Sequence, residues 1–342
     1  MNGKGVGAVW LLAAAVLLCG RPAAAADSEG WDAFDVNRRL GRGVNIIGYD
    51  PIWRFRERGR FKGEYFAMLK EAGFNTVRIN LHPFRHMDAE RGFALRDSWW
   101  EVLDWAVERA LAAKLMVILD MHEFGAMGTA PEENKEKFLS FWRQVSERLQ
   151  DAPREVVFEL LNEPSRGLTA EMWNGYLAEA MAIVRATNPT RTVIIGPAGY
   201  NNINSLYQLK LPEDDRDIIL TVHYYSPFDF THQGASWAGK ADKVGVKWEG
   251  TAEEKAAIER DFARAAAWGR EYKRPIFLGE FGVYDKAEME SRVRYLRFVV
   301  ETAEQLGWSW AYWQFDSDFI LYDVVNDKWN EPVRGALLGG GL

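Results

Sequence analysis

Apolar residues along this chain follow two spacings that alternate. Short runs with almost no polar interruption, such as 116–122 and 156–162, give way to longer stretches whose apolar positions recur every three or four residues, such as 133–150 and 171–187. The first spacing predicts strands buried on both faces, the second amphipathic helices lying against them. Strands are predicted over 42–47, 76–80, 116–122, 156–162, 192–196, 218–223, 276–280 and 309–314. Helices are predicted over 99–113, 133–150, 171–187, 252–272 and 289–306, among others. Eight β units with intervening helices fit a closed (β/α)8 barrel, the TIM barrel, as one domain over 27–342. The fifth unit offers only a short helix near Tyr200 to Gln208, and the stretch after Pro332 is short and ends in glycines. An open doubly wound sheet is the other arrangement such alternation allows.

The first residues stand apart from this pattern. Lys4 is followed by an apolar run from Val6 to Leu18 and then by Ala24, Ala25 and Ala26, the layout of a secretory signal peptide cleaved after Ala26. The run is shorter than the roughly 20 residues a membrane-spanning helix needs. Residues 1–26 are therefore expected to direct export, leaving a secreted or periplasmic protein with no membrane attachment. Cys19, the one cysteine, leaves with that segment, so stability must come from the core rather than from disulfides. The chain carries 42 basic against 49 acidic residues, and Lys4 and Arg21 are lost with the signal. No basic patch suits nucleic acid.

Polar and ionisable side chains collect where the predicted strands end: Asn45, Arg78, Asn80, His122, Asn162, Glu163, His223, Tyr225, Glu280, Trp313 and Gln314. The strand beginnings carry no such set. In a barrel of this kind those ends share one face, which is where a catalytic site forms. Glu163 and Glu280 are the two carboxylates that close apolar runs. A pair of this kind suits cleavage of a glycosidic bond, one group protonated to serve the leaving oxygen and the other ionised.

Seven short segments carry a resemblance: Arg42-Gly43-Val44-Asn45, Thr76-Val77-Arg78-Ile79-Asn80, Asp120-Met121-His122, Leu161-Asn162-Glu163-Pro164, His223-Tyr224-Tyr225, Gly279-Glu280-Phe281-Gly282 and Tyr312-Trp313-Gln314. In this order, from about residue 41 to 316, the chain resembles glycoside hydrolase family five, the cellulase-type barrel enzymes. The resemblance implies that Glu163 is the general acid/base and Glu280 the nucleophile of a retaining mechanism. It implies that Asn162 binds the sugar 2-hydroxyl, that His122 lies near the reacting sugar and that His223 supports the carboxylates. Arg78 and Tyr225 are the donors expected to keep Glu280 ionised. Trp313 is the implied platform beneath the sugar, with Asn45 a further substrate contact. Trp237, Trp53 and Phe84 lie on predicted strand-end loops and are expected to extend that platform. Tryptophans inside predicted helices (Trp99, Trp100, Trp105, Trp142, Trp173 and Trp268) are assigned to packing. The segment 223–250 is too long for a simple connector and is expected to wall the cleft.

The expected activity is therefore an endo-β-1,4-glucanase, a monomer acting on β-linked polysaccharide without metal or other cofactor. A β-mannanase or another β-glucan hydrolase would use the same carboxylate pair, since loops choose the sugar. A catalytically inactive carbohydrate-binding barrel is the alternative from a different class. Metal-dependent hydrolysis would call for clustered histidines, and the chain has five, none in a His-x-His pair.

Overall fold

A computed structural model describes residues 30–339. The expected signal peptide, with its cleavage point and Cys19, lies outside the described residues. Eight parallel strands close into a barrel: β1 (Arg42–Ile46), β2 (Thr76–Leu81), β3 (Met116–Met121), β4 (Val156–Glu159), β5 (Val193–Ile195), β6 (Ile218–Tyr224), β7 (Ile276–Phe281) and β8 (Ser309–Tyr312). Each pairs with its neighbours in sequence and β1 returns to β8, with Arg42 opposite Trp310 and Gly43 opposite Thr76. The open-sheet arrangement is thereby ruled out.

Alternation along the strands explains why they read as unbroken apolar runs. On β2, Val77, Ile79 and Leu81 face outward into the main core shared with the helices, where Trp99, Trp142 and Trp173 are fully buried. The inward positions change character from one end of the barrel to the other. At the lower end Met116, Ile118, Val157, Ile194, Ile219, Phe277 and Ala311 fill the interior. Above them the buried inward positions become Arg78, Asn80, Asp120, Glu159 and Thr221. A polar layer of this kind is tolerated only where its members satisfy one another.

The lower mouth is closed by a helix, Ala33–Leu40, that the reading above does not include. Its Asp32–Asp35 capping box satisfies the free amides of its first turn, and Ala33, Val36 and Leu40 pack onto the lower apolar layer. The fifth unit has only the 3-10 turn Ile203–Gln208, as its weak pattern implied, and the eighth ends in a short helix, Glu331–Leu338. Among the described residues no helix is long and apolar enough to cross a membrane.

Candidate active site

The upper face holds a cleft of about 970 Å³ whose lining includes Glu163, Glu280, His122, Asn162, His223, Tyr225, Trp313 and Trp237. Strand register brings the key pair together. β6 and β7 run in step as far as Val222 opposite Leu278, then shift so that His223 faces Glu280. An irregularity of this kind re-aims side chains at a strand end. Glu163 sits just beyond β4 with a left-handed φ of 45°, a conformation that costs a non-glycine residue energy and turns its side chain into the cleft. His223 Nδ1 is 2.8 Å from Glu163 Oε1 and 3.6 Å from Glu280 Oε2. One carboxylate oxygen of each glutamate and a ring nitrogen of His223 all lie within 4.8 Å of one another.

Beneath the pair is a buried guanidinium. Arg78 grips Glu159 through two bonds, Nε to Oε2 at 2.7 Å and Nη2 to Oε1 at 2.8 Å, a fork-on-carboxylate geometry. Its Nη1 donates to Glu280 Oε1 at 2.8 Å, and Nη2 lies 3.2 Å from Asp120 Oδ2 and donates to Asn162 Oδ1 at 2.9 Å. Tyr225 donates to the other Glu280 oxygen at 3.0 Å. His122 Nδ1 is 2.6 Å from Asp120, and its ring stacks on Trp313 at 5.4 Å with planes 9° apart.

Four carboxyl groups thus surround one permanent cation, and burial resists charge on each of them. Burial raises Glu163 to about 8, offset in part by Arg78 and reinforced by Asp120. Burial also raises Glu280, to about 7, with the Arg78 charge pulling it back. Glu163 has no direct bond to Arg78, so it holds the proton more tightly of the two. Burial pushes His223 below its ordinary value, and drives His122 well below it with help from Arg78. Both imidazoles are neutral at pH 7, while burial and the neighbouring Glu280 hold the Tyr225 phenol protonated. The arrangement therefore offers one protonated and one ionisable carboxyl group, both facing Nδ1 of a shared histidine.

Three expected substrate contacts are not in the cleft. Trp53 is buried, bonds the Ile47 carbonyl through its ring nitrogen at 2.7 Å and stacks on Trp99 at 5.6 Å. It belongs to the core, because the loop after β1 folds back over the helix Asp97–Ala112. Phe84 packs on the core beneath Lys137, while its amide donates to Glu123. Asn45 is fully buried and joins the polar layer, donating to the Gly279 carbonyl at 3.1 Å and accepting from Arg78 at 2.7 Å. Trp237 does line the cleft and is 61% exposed. The segment 223–250 forms a wall there through Ser226, Phe228, His232 and Trp237, with Trp248 as its buried anchor.

Several contributors have no role assigned to them from the sequence. Tyr49 lies in the cleft, 6.3 Å from Trp313 and 6.4 Å from His122. Asp120 and Glu159 carry the polar layer, and Asn80, Asp120 and Glu159 are register partners across β2, β3 and β4. That shared inward parity was the signal available for them. Tyr200 and Asn201, on the loop after β5, had none.

The cellulase family, glycosyl hydrolase family 5, matches residues 40–318. Endoglucanase H of Acetivibrio thermocellus is 29% identical over 91% of this chain, and this chain spans 34% of that protein's length. The endoglucanase Cel5A of Thermotoga maritima, solved with cellobiose, is 38% identical, with a TM-score of 0.85 over 90% of this chain and 100% of that one. The same relative has also been solved with mannotriose, at the same identity, TM-score and coverage.

Proposed function

The chain belongs to glycosyl hydrolase family 5, the cellulase family, and on that footing we propose that it is a retaining endo-β-1,4-glucanase. The observation that carries the reading is the spacing of Glu163 and Glu280, whose nearest oxygens lie within 4.8 Å. Retaining pairs stand about 5–5.5 Å apart and inverting pairs about 6.5–9.5 Å, the wider gap leaving room for a water. In the first step Glu280 attacks the anomeric carbon, and the bond to the leaving oxygen breaks as Glu163 gives that oxygen its proton. In the second step Glu163, now ionised, takes a proton from water. The water oxygen displaces Glu280 from the sugar, which returns both groups to their starting states.

Each surrounding group has a part in this cycle. Arg78 and Tyr225 hold one oxygen each of Glu280 and favour its charge. Neutral His223 bridges the pair, and Asn162, fixed by Arg78, faces the sugar beside the acid. Trp313 and Tyr49 offer apolar faces for the ring bound at the cleavage point, and Trp237 offers one further along the wall. We further propose export directed by residues 1–26, with the mature chain acting as a monomer in the periplasm or outside the cell.

Mannan is the second substrate to weigh, because a relative covered end to end has been solved with mannotriose. The test is incubation of the purified protein with carboxymethyl-cellulose, mixed-linkage β-glucan, mannan and xylan, following reducing ends and product sizes. Rapid release of mixed oligomers from the glucans supports the proposal. Preference for mannan replaces the substrate and keeps the chemistry. Inactivity on all four favours a binding-only barrel.

A further inference from the structure

The loop that follows β5 is built under strain around the acid/base. Tyr200 and Asn201 both take left-handed φ values, 67° and 53°, and Glu163 and Arg166 on the neighbouring loop do the same at 45° and 56°. The two loops are tied to each other: the amides of Gly199 and Tyr200 donate to the Pro164 carbonyl at 2.7 and 3.2 Å. Strain concentrated in this way persists only where surrounding contacts over-determine it.

Asn201 is the centre of these contacts. It is fully buried, its carbonyl accepts from the His223 amide at 3.0 Å, and its Nδ2 lies 3.2 Å from His223 Nε2. Its Oδ1 is buried with no partner, a cost an apolar residue would not incur. The amide rests on Gly196, where any side chain would collide with it, and His223 Nε2 rests on Gly279, whose added Cβ would sit 2.9 Å away. Two glycines thus make room for one amide–imidazole contact.

With Nδ2 as the amide atom facing the ring, Nε2 of a neutral His223 accepts and the ring proton sits on Nδ1. That proton points at Glu163 Oε1, 2.8 Å away. With Oε1 so engaged, the carboxyl proton is confined to Oε2. From these contacts we infer that Asn201 is a positioning residue for the acid/base, fixing the His223 tautomer that orients Glu163. The inference rests on the role proposed for Glu163. The charged and titratable groups around the Glu163–His223 pair are Arg78, Asp120, Glu159, Glu280, Tyr49 and Tyr225, with His122 beyond them. Among the described residues, the polar atom bonded to Nε2 is that of Asn201.

The test compares Asn201→Gly and Asn201→Ala with the parent enzyme on two substrates. Soluble β-glucan has a poor leaving group that needs Glu163's proton, whereas 2,4-dinitrophenyl β-cellobioside releases a stable phenolate that does not. Glycine accepts the left-handed backbone freely and alanine does not, so an effect common to both belongs to the lost amide. Expected is a fall in kcat/KM of about 10- to 100-fold on β-glucan, a fraction of what full general-acid catalysis supplies, with a change below about threefold on the aryl cellobioside. Losing the Nδ1–H donor also destabilises ionised Glu163, so the basic limb of the β-glucan profile should move up by about half to one pH unit. Equal losses on both substrates with an unmoved limb would reduce Asn201 to a structural support, and no loss on either would leave His223 independent of it. Failure of the parent to cleave both substrates would overturn the glycosidase reading itself.

Discussion

Replacing Tyr225 by phenylalanine removes one atom from the site and isolates what keeps Glu280 ionised. The ring is held independently of its hydroxyl, edge-on to His232 at 4.8 Å and to Phe319 at 6.2 Å, so phenylalanine fits the same space. What is lost is the 3.0 Å bond from the phenol to Glu280 Oε2, leaving Arg78 as the donor on Oε1. A hydrogen bond to a charged group is worth about 1.5–3 kcal/mol. At 1.36 kcal/mol per pKa unit, its loss raises Glu280 by about one to two units. The parent value of about 7 would therefore move to about 8–9, at or above the value of about 8 held by Glu163. The bell-shaped profile rises as Glu280 loses its proton and falls as Glu163 loses its own, so its acid limb should shift upward and its peak shrink. At pH 6, where Glu280 is already mostly protonated, kcat/KM should fall about 10- to 100-fold, the ratio of ionised fractions implied by that shift. The assay is initial-rate hydrolysis of soluble β-glucan from pH 4 to pH 10. An acid limb that stays in place, or moves down, would refute the assignment of Tyr225 as a donor that sustains the nucleophile's charge.

Three further outcomes follow from the same geometry. Glu163 and Glu280 fold with raised values, so the native state binds more protons than the unfolded chain between the ordinary value of 4.5 and the folded values of about 8 and 7. Their contribution to stability is intact below pH 4.5 and declines as pH rises to the folded values, so Glu163→Gln and Glu280→Gln should melt above the parent at pH 8.5 with a smaller gain at pH 5; a gain larger at pH 5 would contradict the sign. Trp53→Ala should cost about 3–5 kcal/mol, as large aromatic truncations in cores do, whereas Trp237→Ala should raise KM with little change in denaturant midpoint; the reverse pattern would return Trp53 to the cleft. The Glu163–His223–Glu280 trio also has the spacing of a metal site, and activity is expected to be unchanged in excess chelator, with loss and recovery on adding zinc or calcium the contrary result.

How much of this was legible depended on how regular the backbone was. Strand ends could be read because a period of two fixes which residues point inward, and Arg78, His122, His223 and Tyr225 converge as that parity implies, whereas Glu280 reaches the site through the register shift between β6 and β7 and Glu163 through its left-handed turn. Asn45 was assigned to substrate although the same parity places it one layer lower, where it bonds Arg78 and Asn80. Trp53 and Phe84 lie on irregular loops, where the choice between cleft and core is made by tertiary partners such as Trp99 that no local pattern encodes. Tyr49 faces the opposite case, a cleft residue with nothing in its surroundings to mark it. Asn201 depends on a left-handed backbone and on glycines at 196 and 279, three features brought together only by closure of the barrel.

The central claim is that Glu280 forms a covalent bond to the sugar while Glu163 serves the leaving oxygen. Incubation with an activated 2-deoxy-2-fluoro-β-cellobioside slows the second step more than the first and lets the intermediate accumulate. Intact mass followed by peptide mapping should show one added glycosyl group on the peptide containing Glu280, with hydrolysis of natural substrate releasing the β-anomer first. A label on another residue would contradict the assignment of Glu280. No label, with initial release of the α-anomer, would contradict retention itself.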